Sequence, residues 1–402
     1  MTTTADLLVI GAGPAGAAAA ITAAAAGRRV VVVDRATFPR DKTCGDGLTT
    51  GALRWLETLG VSLDALGASM PVREVVLVTP AHRQITLPLP RDGERARVMR
   101  RADLDAALVD RAGAAGADLR LGQALSELKA LTTGVEATLA DGSVVTAPFA
   151  VAADGNYSTA RRLLAPHDPP VRGEWSAFRQ YFEGVDDPRL WVLFERDILP
   201  GYAWVFPLPG GRANVGFGML RDSGPGRHVT GKVLARTWRD LLTRRVLTDV
   251  LGRDARPESD HRAWPIPSHL DPARLAHGRV LFAGDAAGVV DPMTGEGIAQ
   301  ALETGVLAAT ATAGPGRDPD VAASAYRSAV GATLGRDLRF AALLQRVLAH
   351  PRGAELALRT VDLTPWTRRN FARWMFEDYP RAILLTPRRW RRGILTPTGA
   401  YT

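Results

Sequence analysis

Residues 7–34 constrain this chain more than any other stretch. Leu7-Leu8-Val9-Ile10 runs into Gly11-Ala12-Gly13-Pro14-Ala15-Gly16, then an alanine-rich segment, then Val30–Val33 closing on Asp34. Apolar strand, glycine turn, helix and second strand form a βαβ unit that binds dinucleotides. Gly11 permits the turn, Gly13 lets a pyrophosphate approach the backbone, and Gly16 lets the helix pack on the strand. The helix N-terminus offers unpaired N–H groups and a positive dipole end to phosphates. Asp34 stands 18 residues after Gly16, where an acid accepts hydrogen bonds from a ribose.

The composition narrows the partners. The 402 residues suit one large multi-lobed domain or two to three domains, and 46% hydrophobic content supports a large core. Cys44 is the single cysteine, which excludes an intramolecular disulfide framework and any multi-cysteine zinc site and points to a reducing cytoplasm. The first residues lack a basic leader pattern, so no signal peptide is expected. GAAAAITAAAAG is too short and too rich in alanine to span a bilayer. The net charge is +8, carried almost wholly by arginine, with Lys42, Lys129 and Lys232 the only lysines. From Pro351 onward the balance is +6, a basic tail suited to an anionic membrane or an acidic partner. Nucleic acid is not expected, because no recognition module surrounds the Arg388–Arg392 cluster.

The glycine motif alone does not choose between NAD and FAD. Three downstream segments do: VMRRADLDAAL with Arg101, VAADGNYSTARRLL with Asp154, and RVLFAGDAAGVVDPMTGEGIAQALETG with Gly284 and Asp285. Their order resembles that of the para-hydroxybenzoate-hydroxylase-like flavoproteins. The resemblance implies that Asp285 binds the ribityl chain of FAD and that the helix after Gly295-Glu296-Gly297 points its N-terminus at the isoalloxazine. It implies a cofactor-binding set of Gly11, Gly13, Ala15, Gly16, Asp34, Arg35, Cys44, Gly45, Arg101, Asp154, Gly284, Asp285, Gly295, Gly297 and Ile298. A helix dipole near N1 and O2 stabilises an anionic reduced flavin.

The expected fold class is α/β. A discontinuous Rossmann-type FAD-binding domain takes 1–65, 98–165 and 275–335. An antiparallel β-sheet substrate domain takes 66–97 and 166–274, and a C-terminal helical region takes 336–402. VREVVLVTPAHRQITLPLP alternates as a hairpin or edge strands do, and helical spacing dominates from about Ala322.

Residues 199–218, LPGYAWVFPLPGGRANVGFG, resemble the YxWxFP…VG signature of the geranylgeranyl reductase family, with Tyr202, Trp204, Phe206, Pro207, Val215 and Gly216 in the signature positions. DKTCGDGLT resembles that family's cysteine-glycine loop and DPMTGEGI its post-GD turn. The CGDGLT form most resembles the bacterial reductases that act on the menaquinone side chain. The resemblance implies saturation of prenyl carbon–carbon double bonds by flavin N5 hydride transfer plus protonation. An external electron donor, NAD(P)H or a redox protein, is implied with it.

Period-two alternation puts Tyr202, Trp204 and Phe206 on one strand face. Such a face suits a core or an apolar slot; beside the cysteine loop it is expected to line the slot, with Pro292 contributing. An isolated alkene accepts hydride only if its other carbon is protonated, so an acid must be positioned nearby. Cys44, Asp46 and Tyr202 are the candidates. A flavin monooxygenase acting on an aromatic or terpenoid compound is the alternative, because the fold and flavin motifs are shared. The aromatic and arginine mixture Trp366, Arg368, Arg369, Phe371, Arg373, Trp374, Met375 and Phe376, followed by Arg388–Arg392, is expected to meet an anionic membrane surface peripherally.

Overall fold

In a computed structural model the described residues are 2–62, 66–89, 96–167, 173–221, 229–314 and 316–376. Two large sheets organise them. The first has six strands in the order Ala276–His277, Val280–Phe282, Ala150–Ala152, Leu7–Ile10, Val30–Asp34 and Asp118–Leu121, parallel except at the outermost two-residue strand. Its central strands are buried on both faces, as their unbroken Val, Leu and Ile runs require.

The alanine-rich helix Pro14–Ala25 lies between this sheet and the helix Ile298–Ala311. A Cβ on Gly305 would overlap the Ala15 carbonyl oxygen. The alanine content therefore serves close helix–helix approach. A four-stranded sheet flanks the unit, with Thr2–Thr4 running parallel to Val144–Ala147.

The second large sheet draws its strands from residues 74–88 and 175–266. Trp175–Glu183 pairs with Arg212–Leu220, which pairs with Tyr202–Leu208, which pairs with Leu190–Leu193, all antiparallel. Leu190–Leu193 then runs parallel to Glu74–Val78, which forms the expected hairpin with Gln84–Pro88. The single parallel junction falls where two pieces distant in sequence meet, so no tight turn fixes their direction.

One face of this sheet packs Ala203, Val205, Phe178 and Phe217 against Trp238 of the helix Gly231–Leu242. The other face looks toward the first unit and the C-terminal helices Gly335–Leu348, Pro351–Val361 and Pro365–Phe376, while the helix Pro319–Thr333 packs on the first unit. Arg388–Arg392 lie outside the described residues.

Candidate functional site

Between the two sheets lies a cavity of about 1010 Å³ that joins the glycine turn to the C-terminal helices. At its polar end the turn does what its spacing predicts. Gly11 sits at φ +99°, and a Cβ there would overlap the Ala153 carbonyl. Gly13 is the N-cap residue and no side chain caps the helix. A Cβ on Gly13 would meet only the Arg40 guanidinium, at 3.6 Å. The first-turn N–H groups are therefore open to a phosphate.

Asp34 Oδ2 accepts from the Ala12 N–H at 2.7 Å and Oδ1 from the Ala36 N–H at 2.8 Å, which aims the carboxylate at the cavity. Asp154 accepts from the Ala160 N–H through Oδ2, while its Oδ1 is buried with no hydrogen-bond partner among the described residues. An orphaned buried carboxylate oxygen fits a polar ligand group. Ala15, Arg35, Cys44, Gly45, Arg101, Gly284, Asp285, Gly295, Gly297 and Ile298 line the same cavity. Gly16 does not: a Cβ there would overlap the Gly11 carbonyl oxygen, so this glycine serves helix–strand packing.

Opposite the glycine turn, Asp291 Oδ1 accepts from the Met293 and Thr294 N–H groups and the Thr294 hydroxyl, folding DPMTGEG into a tight turn. The helix Ile298–Ala311 starts there, without a side-chain cap and facing the cavity. Thr49 donates to Glu296 and ties this turn to the cysteine loop. Pro292 is not among the residues of the cavity wall, and its carbonyl accepts from Gln345 of the helix Gly335–Leu348.

Lys42 escaped the sequence reading as a site residue. Its Nζ lies 3.9 Å from the Trp264 ring centre and 3.9 Å from Asp285 Oδ2. Burial lowers its pKa to about 8, partly offset by Asp285. The available signal was its rarity, one of three lysines in an arginine-rich chain.

The cysteine loop is held from below by a buried polar network. Asp46 adopts φ +65° and is fully buried. Its carboxylate accepts from Tyr181 Oη at 2.7 Å, Asn214 Nδ2 at 2.7 Å and the Arg101 N–H at 3.3 Å. Asn214 also donates to the Cys44 carbonyl at 2.8 Å and accepts from the Trp204 indole at 2.9 Å. The guanidinium groups of Arg100 and Arg179 lie over the Tyr181 ring at 4.3 and 4.0 Å. Tyr202 donates to the Thr294 carbonyl. Of the three expected acids, Asp46 is thus enclosed by donors and the Tyr202 hydroxyl is engaged with backbone.

Cys44 keeps part of its surface open. Burial pushes its thiol up; Arg101 opposes the shift by favouring thiolate, and the Asp46 carboxylate adds to it more than the Asp46 N–H relieves it.

Burial raises the Asp46 pKa from 3.8 to about 6, against the pull of Tyr181 and Asn214. Between those values the native state holds a proton that the unfolded chain has released. This contribution to stability is complete below the unfolded pKa and lost as pH rises through about 6. The full difference is on the order of 3 kcal/mol. Urea unfolding between pH 4 and about 7 is expected to show this slope in the wild type and not in Asp46→Asn. Equal slopes in both proteins would remove the assignment.

The far end of the cavity is apolar. Tyr202, Trp204 and Phe206 line it with ring centroids about 6 Å apart, on the face expected from alternation. Trp204 and Gly216 are register partners, and a Cβ on Gly216 would overlap the indole. That contact explains why the aromatic strand and the following glycine occur together. A Cβ added to Gly45 or Gly47 would lie 3.4 Å from the Phe206 ring, so an aromatic side chain packs against the bare backbone of this loop. Phe340, Phe371, Trp374, Met375 and Phe376 complete the wall. The last four were expected at a membrane surface; they turn inward, and Trp366 alone of that aromatic set is exposed.

Comparison with known proteins accords with this layout. A family model described as an FAD binding domain matches residues 4–179. Menaquinone reductase of Mycolicibacterium smegmatis is 35% identical over 322 residues, 77% of this chain and 76% of the relative. Digeranylgeranylglycerophospholipid reductase 2 of Methanopyrus kandleri is 30% identical over 368 residues, 87% and 88% of the two chains. The chain belongs to the geranylgeranyl reductase family. A geranylgeranyl bacteriochlorophyll reductase-like structure from Thermoplasma acidophilum shares the fold of this geranylgeranyl reductase family member, with TM-score 0.79, 22% identity, and coverage of 96% of this chain and 100% of the other. As a member of that family the protein is an FAD-dependent oxidoreductase.

Proposed function

We propose that the protein saturates carbon–carbon double bonds in an isoprenoid chain, such as the side chain of a prenylated quinone. One observation carries this reading: the cavity runs without interruption from the dinucleotide cradle, past Cys44, to a wall of aromatic and aliphatic side chains. The names of the curated relatives support the substrate class. An isoprenoid is apolar along its length and gains by leaving water for such a wall.

The glycine turn, Asp34, Asp154 and Asp285 would hold FAD, which would supply the two-electron reducing equivalent. The chain's residues do the rest. The Cys44 thiol, kept protonated by burial, delivers the proton to the alkene carbon. Arg101 then holds the thiolate. Asn214, gripping the Cys44 carbonyl and the Trp204 indole together, sets the distance between acid and substrate wall. Asp46 and Tyr202 are positioning residues in this scheme.

The purified protein is expected to be yellow and to release FAD on denaturation, because no histidine and no second cysteine lines the cavity among the described residues to form a covalent flavin link. Reduced without oxygen and mixed with a prenylated quinone, it should yield product heavier by two hydrogens per saturated bond. A folded protein that takes up no FAD would end the reading. Turnover that needs oxygen would assign the site to a monooxygenase instead.

A further inference from the structure

We propose that the outer face of the C-terminal helices docks on an anionic lipid bilayer, so that the cavity opens onto the membrane. The proposal rests on the isoprenoid reading of the cavity. Nine large hydrophobic residues are exposed among the described residues, and five of them, Leu343, Val347, Leu356, Leu363 and Trp366, fall within one run of three helices. Leu356, on the helix Pro351–Val361, and Leu363, in the connection that follows it, are 69% and 70% exposed, and neither contributes to the core from there. Val347 is 44% exposed and also lines the cavity. The apolar interior therefore reaches the surface inside this patch.

The charge beside the patch selects the partner. Arg196, His350, Arg352 and Arg359 border a surface cleft that includes Leu356. The three arginines make no salt bridge among the described residues, and the one carboxylate in the cleft, Glu355, accepts from the Ala81 N–H. Residues 336–376 carry eight arginines against three acidic side chains. Exposed leucines and a tryptophan on these helices, with three arginines bordering Leu356, suit the boundary between acyl chains and anionic headgroups. A nucleic acid would use the arginines and gain nothing from the leucines. No described helix is long and apolar enough to cross a membrane, so the association is peripheral.

Sedimentation with vesicles of phosphatidylcholine plus phosphatidylglycerol, and of phosphatidylcholine alone, tests the proposal on FAD-loaded protein. Wild type is expected to bind the mixed vesicles and to detach as salt rises. Leu356→Glu with Leu363→Glu should weaken binding at least tenfold. Arg352→Gln with Arg359→Gln should cost roughly fivefold per arginine at low salt and flatten the salt dependence. Both variants should keep FAD and act like wild type on detergent-dispersed prenylated quinone, since none of the four side chains lines the cavity.

Wild type that stays in the supernatant, or variants that bind as well as wild type, would overturn the docking surface. A dimer in size exclusion that the double leucine variant splits, without vesicle binding, would overturn it in favour of a contact between copies. Failure of wild type on the dispersed quinone would instead sink the reductase reading and leave the vesicle result standing.

Discussion

Cys44→Ser is expected to fold, bind FAD and lose alkene reduction by ~10²–10⁴-fold, the range for a positioned proton donor. The expectation rests on the contrast among the three acids near the loop. Asp46 is spent on Tyr181, Asn214 and the Arg101 N–H, and the Tyr202 hydroxyl is spent on the Thr294 carbonyl. Cys44 retains exposure toward the cavity, a thiol that burial keeps protonated, and the Arg101 guanidinium ready to stabilise the thiolate. A serine hydroxyl has far weaker acidity and cannot replace it. Anaerobic single-turnover experiments on chemically reduced enzyme, followed by flavin absorbance, measure the step directly. Unchanged rates would return Cys44 to a packing role and leave the proton source to another group.

The second large effect is on cofactor binding. Gly16→Ala is expected to abolish FAD retention and to lower stability beyond the roughly 1–3 kcal/mol typical of overpacking, because its Cβ would overlap backbone that cannot rotate away. Gly13→Ala separates the two consequences. Its nearest neighbour is the flexible Arg40 guanidinium at 3.6 Å, so the apoprotein should melt near the wild-type temperature. The added methyl would stand where the pyrophosphate must approach, and FAD affinity should fall by more than tenfold. Gly231→Ala, with open space around it, is the neutral control. FAD titration and thermal melts of the three apoproteins give the order; tight FAD binding by Gly13→Ala would refute the cradle.

Much of the architecture is legible in the sequence, and for local reasons. The turn from Gly11 to Gly16, the strand ending at Asp34 and the alternation through Tyr202, Trp204 and Phe206 are set by steric rules that act over a few residues. The hairpin of Glu74–Val78 with Gln84–Pro88 and the C-terminal helices follow from hydrophobic period. The pairing of an aromatic strand with a glycine is visible as a motif, but its cause, the Trp204 ring lying across Gly216, needs the register.

What only the tertiary structure decided are contacts between side chains far apart in sequence. Asn214 reaches Cys44 across 170 positions and Tyr181 reaches Asp46 across 135, so neither neighbour leaves a trace in the other's local pattern. Lys42, Trp264 and Asp285 meet for the same reason. The C-terminal aromatics show the limit most plainly. Phe371, Trp374, Met375 and Phe376 have the composition of an interfacial helix and the burial of a cavity wall. Composition and period fix that a helix has an apolar face; the packing of the sheet beneath it decides what that face covers.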